Sequence, residues 1–204
     1  RRINMSDTYY VKTFGGLEIT NDNVTVNIVE LFGKQLVNLL QVLLFHSEKP
    51  VQKDELIDIL WPESKNPSSA LKFSIFRLRS ELNEIEFFKD KEVIVTTRKG
   101  YILNPNLDWN IDFVELEKAY NQINDGSELL DEKEFKTARK IFRLYQGRFY
   151  ASPSQLHWIL QKQEIFRQMY VKTMMRTSCY LYTQKRYDEM MLMNYQAVLI
   201  EPLN

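Results

Sequence analysis

The sequence predicts an α+β domain of short strands and three helices, followed by a second domain built only of helices. Within the first hundred or so residues, short runs rich in strand formers flank segments whose apolar residues have helical spacing. After about residue 108, every apolar pattern recurs at intervals of three and four residues, which is typical of α-helices. This change of pattern predicts a domain boundary between residues 103 and 108.

The N-terminal strands are predicted from runs of strand-forming residues that alternate with turn signals. The runs cover residues 9–14, 17–20 and 24–28, and Gly15-Gly16 and Asn21-Asp22-Asn23 separate them. β-Branched and aromatic residues favour strands, whereas glycine, asparagine and aspartate favour turns. Short strands joined by tight turns indicate a small antiparallel sheet.

Three predicted helices follow this sheet. Leucines line one face of residues 33–47, and a shorter helix over residues 53–61 ends at Pro62, which cannot continue the hydrogen-bond ladder. The third helix begins at Asn66-Pro67, because asparagine can cap free amide groups and proline fits the first helical position. Its apolar stripe consists of Leu71, Ile75, Leu78 and Leu82.

A β-hairpin is predicted directly after the third helix. Residues 92–97 form a β-branched run, Arg98-Lys99-Gly100 supplies a turn, and residues 101–103 return. Sheet, three helices and hairpin in this order predict a winged helix-turn-helix over residues 9–105, with the hairpin as the wing. Residues 1–8 are then a tail or a remnant of a preceding segment, and we expect the chain to be a piece of a longer protein.

Residues 108–204 are predicted to form an all-α domain that continues beyond the sequence given. Asn124-Asp125-Gly126 is expected to end its first helix, Ser152-Pro153-Ser154 to open a long one, and Pro202 to end the last. Paired helices with short breaks indicate a stack that resembles tetratricopeptide repeats, rather than a four-helix bundle.

Composition limits the classes of function. The chain has 204 residues, 44% hydrophobic and 26% charged, as is typical of globular proteins. Its 27 basic and 27 acidic residues give no net charge, which counts mildly against nucleic-acid binding, although residues 66–82 carry a local excess of cations. The single Cys179 fits a reducing compartment, so we expect a cytoplasmic protein. No apolar run reaches the roughly 18 residues of a membrane span, and there is no signal-peptide pattern.

No pattern in the sequence indicates an enzyme. His46 and His157 are isolated, and neither cysteines nor histidines recur at metal-ligand spacing. Gly15-Gly16 is a turn between strands rather than part of a phosphate-binding loop. We therefore expect no catalytic activity, no cofactor and no metal site.

The outward face of the third helix carries the candidate contacts to DNA bases. Arg77 could pair with guanine O6 and N7, and Phe73 could pack on a thymine methyl group or instead against a neighbouring helix or the wing. Ser69 and Ser74 are short hydrogen-bond donors suited to phosphate or base contacts, although serine is also common on any solvated helix face. Phe76 is expected to be structural, filling space between helices.

Further cations and the wing tip are candidates for contacts to the DNA backbone. Lys72 and Arg79 flank the reading face and could neutralise phosphates, although Arg79 could instead pair with a glutamate. Thr97, Arg98 and Lys99 lie at the predicted wing tip, where they would reach the backbone or the minor groove.

The same residues resemble a known family. Residues 9–105 resemble the OmpR/PhoB-type winged-helix output domain of two-component response regulators, on the runs KPVQKDELIDILWPES (49–64), ALKFSIFRLRSEL (70–82) and VIVTTRKGYIL (93–103). Residues 108–204 resemble the bacterial transcriptional activator domain, a tetratricopeptide-like module. The matching runs are DWNIDFVELEKAY (108–120), LYQGRFY (144–150), WILQKQEIFRQMY (158–170) and RYDEMMLMNYQAVLIEPLN (186–204).

Together the two modules resemble the antibiotic regulatory type of transcriptional regulator. This resemblance implies a sequence-specific activator that binds repeated promoter sites on double-stranded DNA, self-associates there and contacts RNA polymerase. The same pair of modules also occurs as the output half of some response regulators. The alternative is a protein-interaction or signalling adaptor that uses this fold without DNA. The zero net charge and the aromatic residues on or near the reading face keep that alternative open.

Overall fold

The computed structural model describes residues 8–123, 129–150 and 156–201. The strands in this part of the chain are β1 (Thr8–Lys12), β2 (Glu18–Asn21), β3 (Val24–Asn27), β4 (Ile94–Thr96), β5 (Tyr101–Leu103) and β6 (Asp108–Ile111). The helices are α1 (Ile28–Leu31), α2 (Lys34–Phe45), α3 (Lys53–Leu60), α4 (Pro67–Asn83), α5 (Asp112–Ile123), α6 (Glu132–Leu144), α7 (His157–Thr183) and α8 (Tyr187–Ile200). This order confirms the predicted α+β part followed by a helical part.

The described residues divide into two compact units. One contains residues 8–10 and 18–109, and the other contains residues 11–17 and 110–201. The domain limits predicted from the sequence, 9–105 and 108–204, remain a prediction. No helix in the described ranges is long and apolar enough to cross a membrane.

The small sheet has four strands in the order β3-β2-β1-β6. β2 and β3 are antiparallel, with Ile19 opposite Val26 and Thr20 opposite Thr25. The turn between them contains Asp22 at φ 52°, a left-handed conformation that aspartate tolerates better than most residues. β6 is not predicted from the sequence, which assigns Asp108 to the start of the helical part.

In the first unit, α2 is a core helix rather than an amphipathic one. Nine of its twelve residues are buried, and it packs against α3, α4 and β5. Helix α4 buries the predicted stripe of leucines and isoleucine against this core. Pro67 occupies the first turn of α4 as predicted, whereas the Asn66 side chain makes no capping hydrogen bond.

In the second unit, consecutive helices from α5 to α8 pack against one another. Aromatic rings fill its core: the ring of Phe14 lies with its centroid 5.0 Å from that of Tyr145, 5.8 Å from Phe149 and 5.3 Å from Phe166. Helix α6 begins with a capping box, in which Asp131 accepts from the Glu134 amide and Glu134 from the Asp131 amide, both at 2.7 Å. The expected helix boundaries at 124–126, 152–154 and 202 lie outside the described residues.

Within this unit, a buried carboxylate connects residues 11–17 to helix α5. The first residue of α5, Asp112, accepts hydrogen bonds from the Thr13 amide at 2.7 Å, the Phe14 amide at 3.1 Å and the Thr13 hydroxyl. Burial raises the pKa of Asp112 above its ordinary value, and these hydrogen bonds oppose the shift. The segment that follows β1 is thereby held against the start of α5.

Candidate nucleic-acid interface

Helix α4 has a buried face and an opposite face that is open to solvent. Leu71, Ile75 and Leu78 are at most 3% exposed and fix the orientation of the helix. Helix α4 has 17 residues and follows α3 after a six-residue connection. The two helices therefore follow each other in the order of a helix-turn-helix. The solvent-facing side chains include those of Ser69, Lys72, Phe73, Phe76, Arg77 and Ser80.

Two phenylalanines lie on the exposed face of α4. Phe73 is 61% exposed and Phe76 is 70% exposed, although phenyl rings are normally removed from water. Residues three apart on a helix are neighbours, so these rings form one apolar patch. The expectation that Phe76 fills space between helices is wrong, because the ring lies on the solvent side of the helix.

Arg77 lies beside this patch on the next turn of α4. Its Nη2 donates to Glu81 Oε1 at 3.3 Å, and its guanidinium carbon lies 6.0 Å from the Phe73 ring centroid. The side chains of the ion pair are 52% and 38% exposed, so solvent screens the interaction and its contribution is below about 1 kcal/mol. Little free energy is therefore needed to turn the guanidinium towards another acceptor.

The structure places Ser74 on the buried face of α4. Ser74 is 7% exposed and lies within one turn of Leu71 and Leu78, both of which face the core. A hydroxyl in this position points away from any surface that a ligand could reach. Sequence reasoning placed it on the reading face because serine is polar, whereas the helical rotation places it beside the apolar stripe.

Arg79 joins α4 to the first strand of the hairpin. Its Nε and Nη2 donate to the Ile94 carbonyl at 3.1 and 2.9 Å, and Nη2 also donates to Thr96 Oγ1 at 2.8 Å. Ile94 is fully buried, so this carbonyl obtains its hydrogen bonds within the protein. The Arg79 guanidinium therefore connects α4 to the wing. The sequence had suggested that this side chain flanks the reading face and neutralises a phosphate.

The wing is a short hairpin in which β4 and β5 are antiparallel. Ile94 lies opposite Leu103, and Thr96 lies opposite Tyr101. The Thr97 amide donates to the Gly100 carbonyl at 2.8 Å. Thr97 Oγ1 accepts from the amides of Lys99 and Gly100, both at 3.2 Å. Thr97 thus shapes the turn and leaves Arg98 and Lys99 exposed at its tip.

The base of the wing is fixed to the segment that leads into α3. Val51 and Tyr101 exchange two backbone hydrogen bonds, at 2.8 and 3.0 Å. Gly100 has φ +147°, and a Cβ at this residue would lie 1.8 Å from the Val51 carbonyl oxygen. Only glycine permits this close approach, so Gly100 is required for the position of the wing beside the helix-turn-helix.

Exposed charge around α4 is distributed unevenly. Lys72, Arg77, Arg98 and Lys99 are exposed on α4 and the wing tip. Helix α3 instead exposes three acidic residues, Asp54, Glu55 and Asp58, and one cation, Lys53. Positive potential is therefore local to α4 and the wing, even though the whole chain has no net charge.

Residues 29–103 match the model of the family described as "Transcriptional regulatory protein, C terminal". These residues form a winged-helix domain of that family. The matched segment includes α3, α4 and both strands of the wing, which are the elements that carry the exposed face described above. No curated protein matches the chain.

A solved structure of another regulator also shares the fold. Mycobacterium tuberculosis EmbR, in complex with a low affinity phosphopeptide, superimposes with a TM-score of 0.66 at 16% identity. The likeness covers 96% of this chain and 50% of that chain, so the present chain spans about half the length of EmbR. The DNA-binding domain of Escherichia coli CadC has 25% identity and a TM-score of 0.36, over 46% of this chain and 88% of that one. The EmbR superposition confirms the winged-helix and tetratricopeptide-like architecture.

Phe76 is the surface residue that sequence reasoning assigned wrongly. It lies three residues after Phe73, which the sequence places on the outward face, and four after Lys72, which it places at the flank of that face. On a helix this spacing puts Phe76 in the same row as its two neighbours. The positional signal was present, but the apolar character of the side chain favoured a buried interpretation.

Proposed function

We propose that this protein is a sequence-specific DNA-binding transcriptional regulator whose α4 lies in the major groove. The single observation that supports this most is the exposed face of α4, where two phenylalanines and Arg77 stand together beside a basic wing tip. A major groove about 12 Å wide admits one α-helix, and a winged helix uses its second helix-turn-helix element for that role. The match of residues 29–103 to a family of transcriptional regulators agrees with this use of the fold.

The side chains on this face suggest what is recognised. Arg77 can release Glu81 and donate two hydrogen bonds to guanine, the commonest base-specific contact of arginine. Phe73 and Phe76 have no polar atoms on their side chains, so they suit the thymine methyl group, which is the apolar feature of the major groove. We therefore expect a recognition site that contains guanine next to thymine.

The remaining contacts are proposed for the phosphate backbone. Lys72 on α4 and Arg98 and Lys99 at the wing tip are exposed cations that can each neutralise one phosphate. Ser69 lies in the first turn of α4, where a hydroxyl and the helix N-terminus both favour a phosphate. Thr97 shapes the wing turn, and Ser74 and Arg79 act inside the domain, so we propose no direct DNA contact for these three.

The finer assignments rest on the resemblance to antibiotic regulatory type regulators. We propose an activator that acts in the cytoplasm, binds repeated promoter sites as pairs of protomers and contacts RNA polymerase through the helical unit. An input by phosphorylation through a preceding receiver domain would make the same chain an output module of a two-component system.

The second candidate function is a protein-interaction adaptor that does not bind DNA. It is favoured by the exposure of Phe73 and Phe76, since an exposed apolar patch on a helix also suits a protein partner. The two functions differ in how binding responds to salt and to duplex sequence.

The test is a selection from a random duplex library, followed by affinity measurements of the selected duplex at several salt concentrations. A DNA-binding regulator loses affinity steeply as salt rises, with a slope near −0.9 per phosphate contact. Arg77→Ala should reduce the discrimination between selected and scrambled duplexes by roughly 1–3 kcal/mol. Its matched control is Glu81→Gln, which frees Arg77 and should preserve discrimination. Failure to enrich any sequence, or an affinity that does not change with salt, would support the adaptor instead.

A further inference from the structure

A groove in the helical unit lies between α6 and α8, with α7 as its floor. Its volume is about 820 Å³, and its lining belongs wholly to the second compact unit. Three helices contribute apolar side chains to it. These include Phe135, Phe142, Tyr170, Leu181, Leu192 and Met193.

The groove is elongated along the helices. Its lining spans residues 135–143 on α6 and 189–200 on α8, which at 1.5 Å per residue corresponds to about 12 Å on the first wall and about 16 Å on the second. These lengths match about four to five residues of extended peptide or about two to three turns of a helix. An elongated chain therefore fits the groove better than a compact small molecule does.

Leu192 and Leu199 on the α8 wall are 59% and 64% exposed. A ligand that covered these two leucines would remove apolar surface from water, at a gain of about 25 cal/mol for each Å² buried. The apolar lining thus supplies affinity for apolar side chains.

The rim formed by α6 is positively charged. Lys136, Arg139 and Arg143 recur at spacings of three and four residues, line the groove, and are exposed. Within the described residues, none of the three forms an ion pair, whereas their neighbour Lys140 pairs with Glu115 at 2.5 Å. The groove thus carries a row of cations whose charge this part of the chain does not neutralise.

The acidic residue on the opposite wall does not offset this row. Glu189 lines the groove from α8, but its Oε2 accepts a hydrogen bond from Arg186 Nε at 2.8 Å. Charge complementarity therefore favours an anionic ligand near α6.

We propose that this groove binds a peptide segment of a partner protein that carries apolar side chains together with aspartate or glutamate. Both required features face the same space: apolar side chains on the floor and α8 wall, and the cations of α6 on the rim. Duplex DNA would satisfy the cations but would leave the apolar floor uncovered. A second copy of this chain in a two-fold contact would bring the same cationic surface against itself, which is unfavourable. The proposal does not depend on whether α4 binds DNA.

The test uses the full-length protein and a phage library of random twelve-residue peptides. Enriched peptides are synthesised with a fluorescein label, and their affinities are measured by fluorescence anisotropy. We expect sequences that combine apolar residues with aspartate or glutamate. Replacement of their acidic residues by the corresponding amides should weaken binding at least tenfold.

The decisive variant carries Lys136→Glu, Arg139→Glu and Arg143→Glu, and should bind the selected peptides at least tenfold more weakly. These residues are exposed, so the melting temperature should not change. The matched control reverses three exposed cations outside the groove and should bind as the wild type does. Its substitutions are Lys133→Glu, Arg148→Glu and Lys185→Glu.

Several results would overturn the proposal. The phage selection could recover no peptide or only basic peptides. The control variant could also lose as much affinity for the selected peptides as the variant of Lys136, Arg139 and Arg143 does. Two further results would assign the surface differently. The variant of Lys136, Arg139 and Arg143, called the rim variant, could lose affinity for duplex DNA while it retains peptide binding. That result would identify the surface as a DNA contact. Dissociation of an oligomer by the rim variant, measured by sedimentation equilibrium, would identify a second copy as the occupant.

Discussion

Arg79 offers a sharp test of how the winged-helix unit is built, because its position allows two different roles. As a flanking cation it would neutralise a phosphate, whereas its hydrogen bonds to Ile94 and Thr96 make it a link between α4 and the wing. Arg79→Gln removes the charge and shortens the side chain. The two roles predict opposite effects of this substitution on stability and on salt dependence.

The expected loss of stability follows from the bonds that are broken. A hydrogen bond to a charged donor contributes roughly 1.5–3 kcal/mol, and the buried Ile94 carbonyl would lose both of its bonds to the guanidinium. A loss of about 2 kcal/mol lowers the melting temperature of a unit of about 100 residues by roughly 8–16 °C. Urea denaturation and calorimetry of the purified variant measure this change.

The salt dependence of DNA binding separates the roles. If Arg79 contacts no phosphate, the slope of log affinity against log salt should be unchanged in Arg79→Gln. Arg98→Gln is the control, since it is exposed at the wing tip and should lower the slope by about 0.9 without changing stability. An Arg79→Gln variant with normal stability and a slope reduced by about one unit would refute the structural role.

Three other perturbations address separate parts of the structure. Phe76→Ala should leave stability unchanged and weaken binding to a selected duplex roughly tenfold, equivalent to about 1.4 kcal/mol. Replacement of the contacted thymine by uracil should give a similar loss that Phe76→Ala does not increase. Gly100→Ala should destabilise the winged-helix unit by about 3 kcal/mol or more in urea denaturation, because the added Cβ would clash with Val51. The control is Gly16→Ala, whose Cβ would meet no atom within 4 Å, so it should have little effect on stability. The raised pKa of Asp112 means that the folded state binds the carboxyl proton more tightly than the unfolded state does. The wild type should therefore gain stability relative to Asp112→Asn as the pH falls from neutral towards 3.8. A constant difference in stability between the two proteins across that range would contradict the assigned burial.

Periodicity predicts the helices and the wing because both patterns are local. The leucine stripe of α4 and the β-branched run before Arg98 each lie within about 20 residues, so the sequence shows them directly. Strand β6 has only four residues and joins the sheet beside β1, where Thr8 donates to Asp108 at 2.6 Å across 100 residues of chain. Such a pairing is decided by tertiary structure, and no periodic signal marks it.

The candidate site was predictable at the level of the element and less so at the level of the residue. The exposed positions of Lys72, Phe73 and Arg77 follow from their rotation about the α4 axis. Arg79 differs because its long side chain reaches the Ile94 carbonyl, 15 residues further along the chain. For Phe76, the apolar side chain led to the wrong prediction of burial. For Ser74, burial depends on how wide the buried stripe of α4 is, and that width is determined by the elements that pack against the helix.

Photo-crosslinking tests most directly whether the α4 and wing face binds DNA. p-Benzoylphenylalanine would replace Phe76 or Arg98 in separate variants, and Tyr195, which is 67% exposed on α8, would serve as the control position. With a selected, radiolabelled duplex, we predict crosslinks from positions 76 and 98 and none from position 195. Crosslinks from position 195 alone, or crosslinks from position 76 to protein but never to DNA, would contradict the proposed interface.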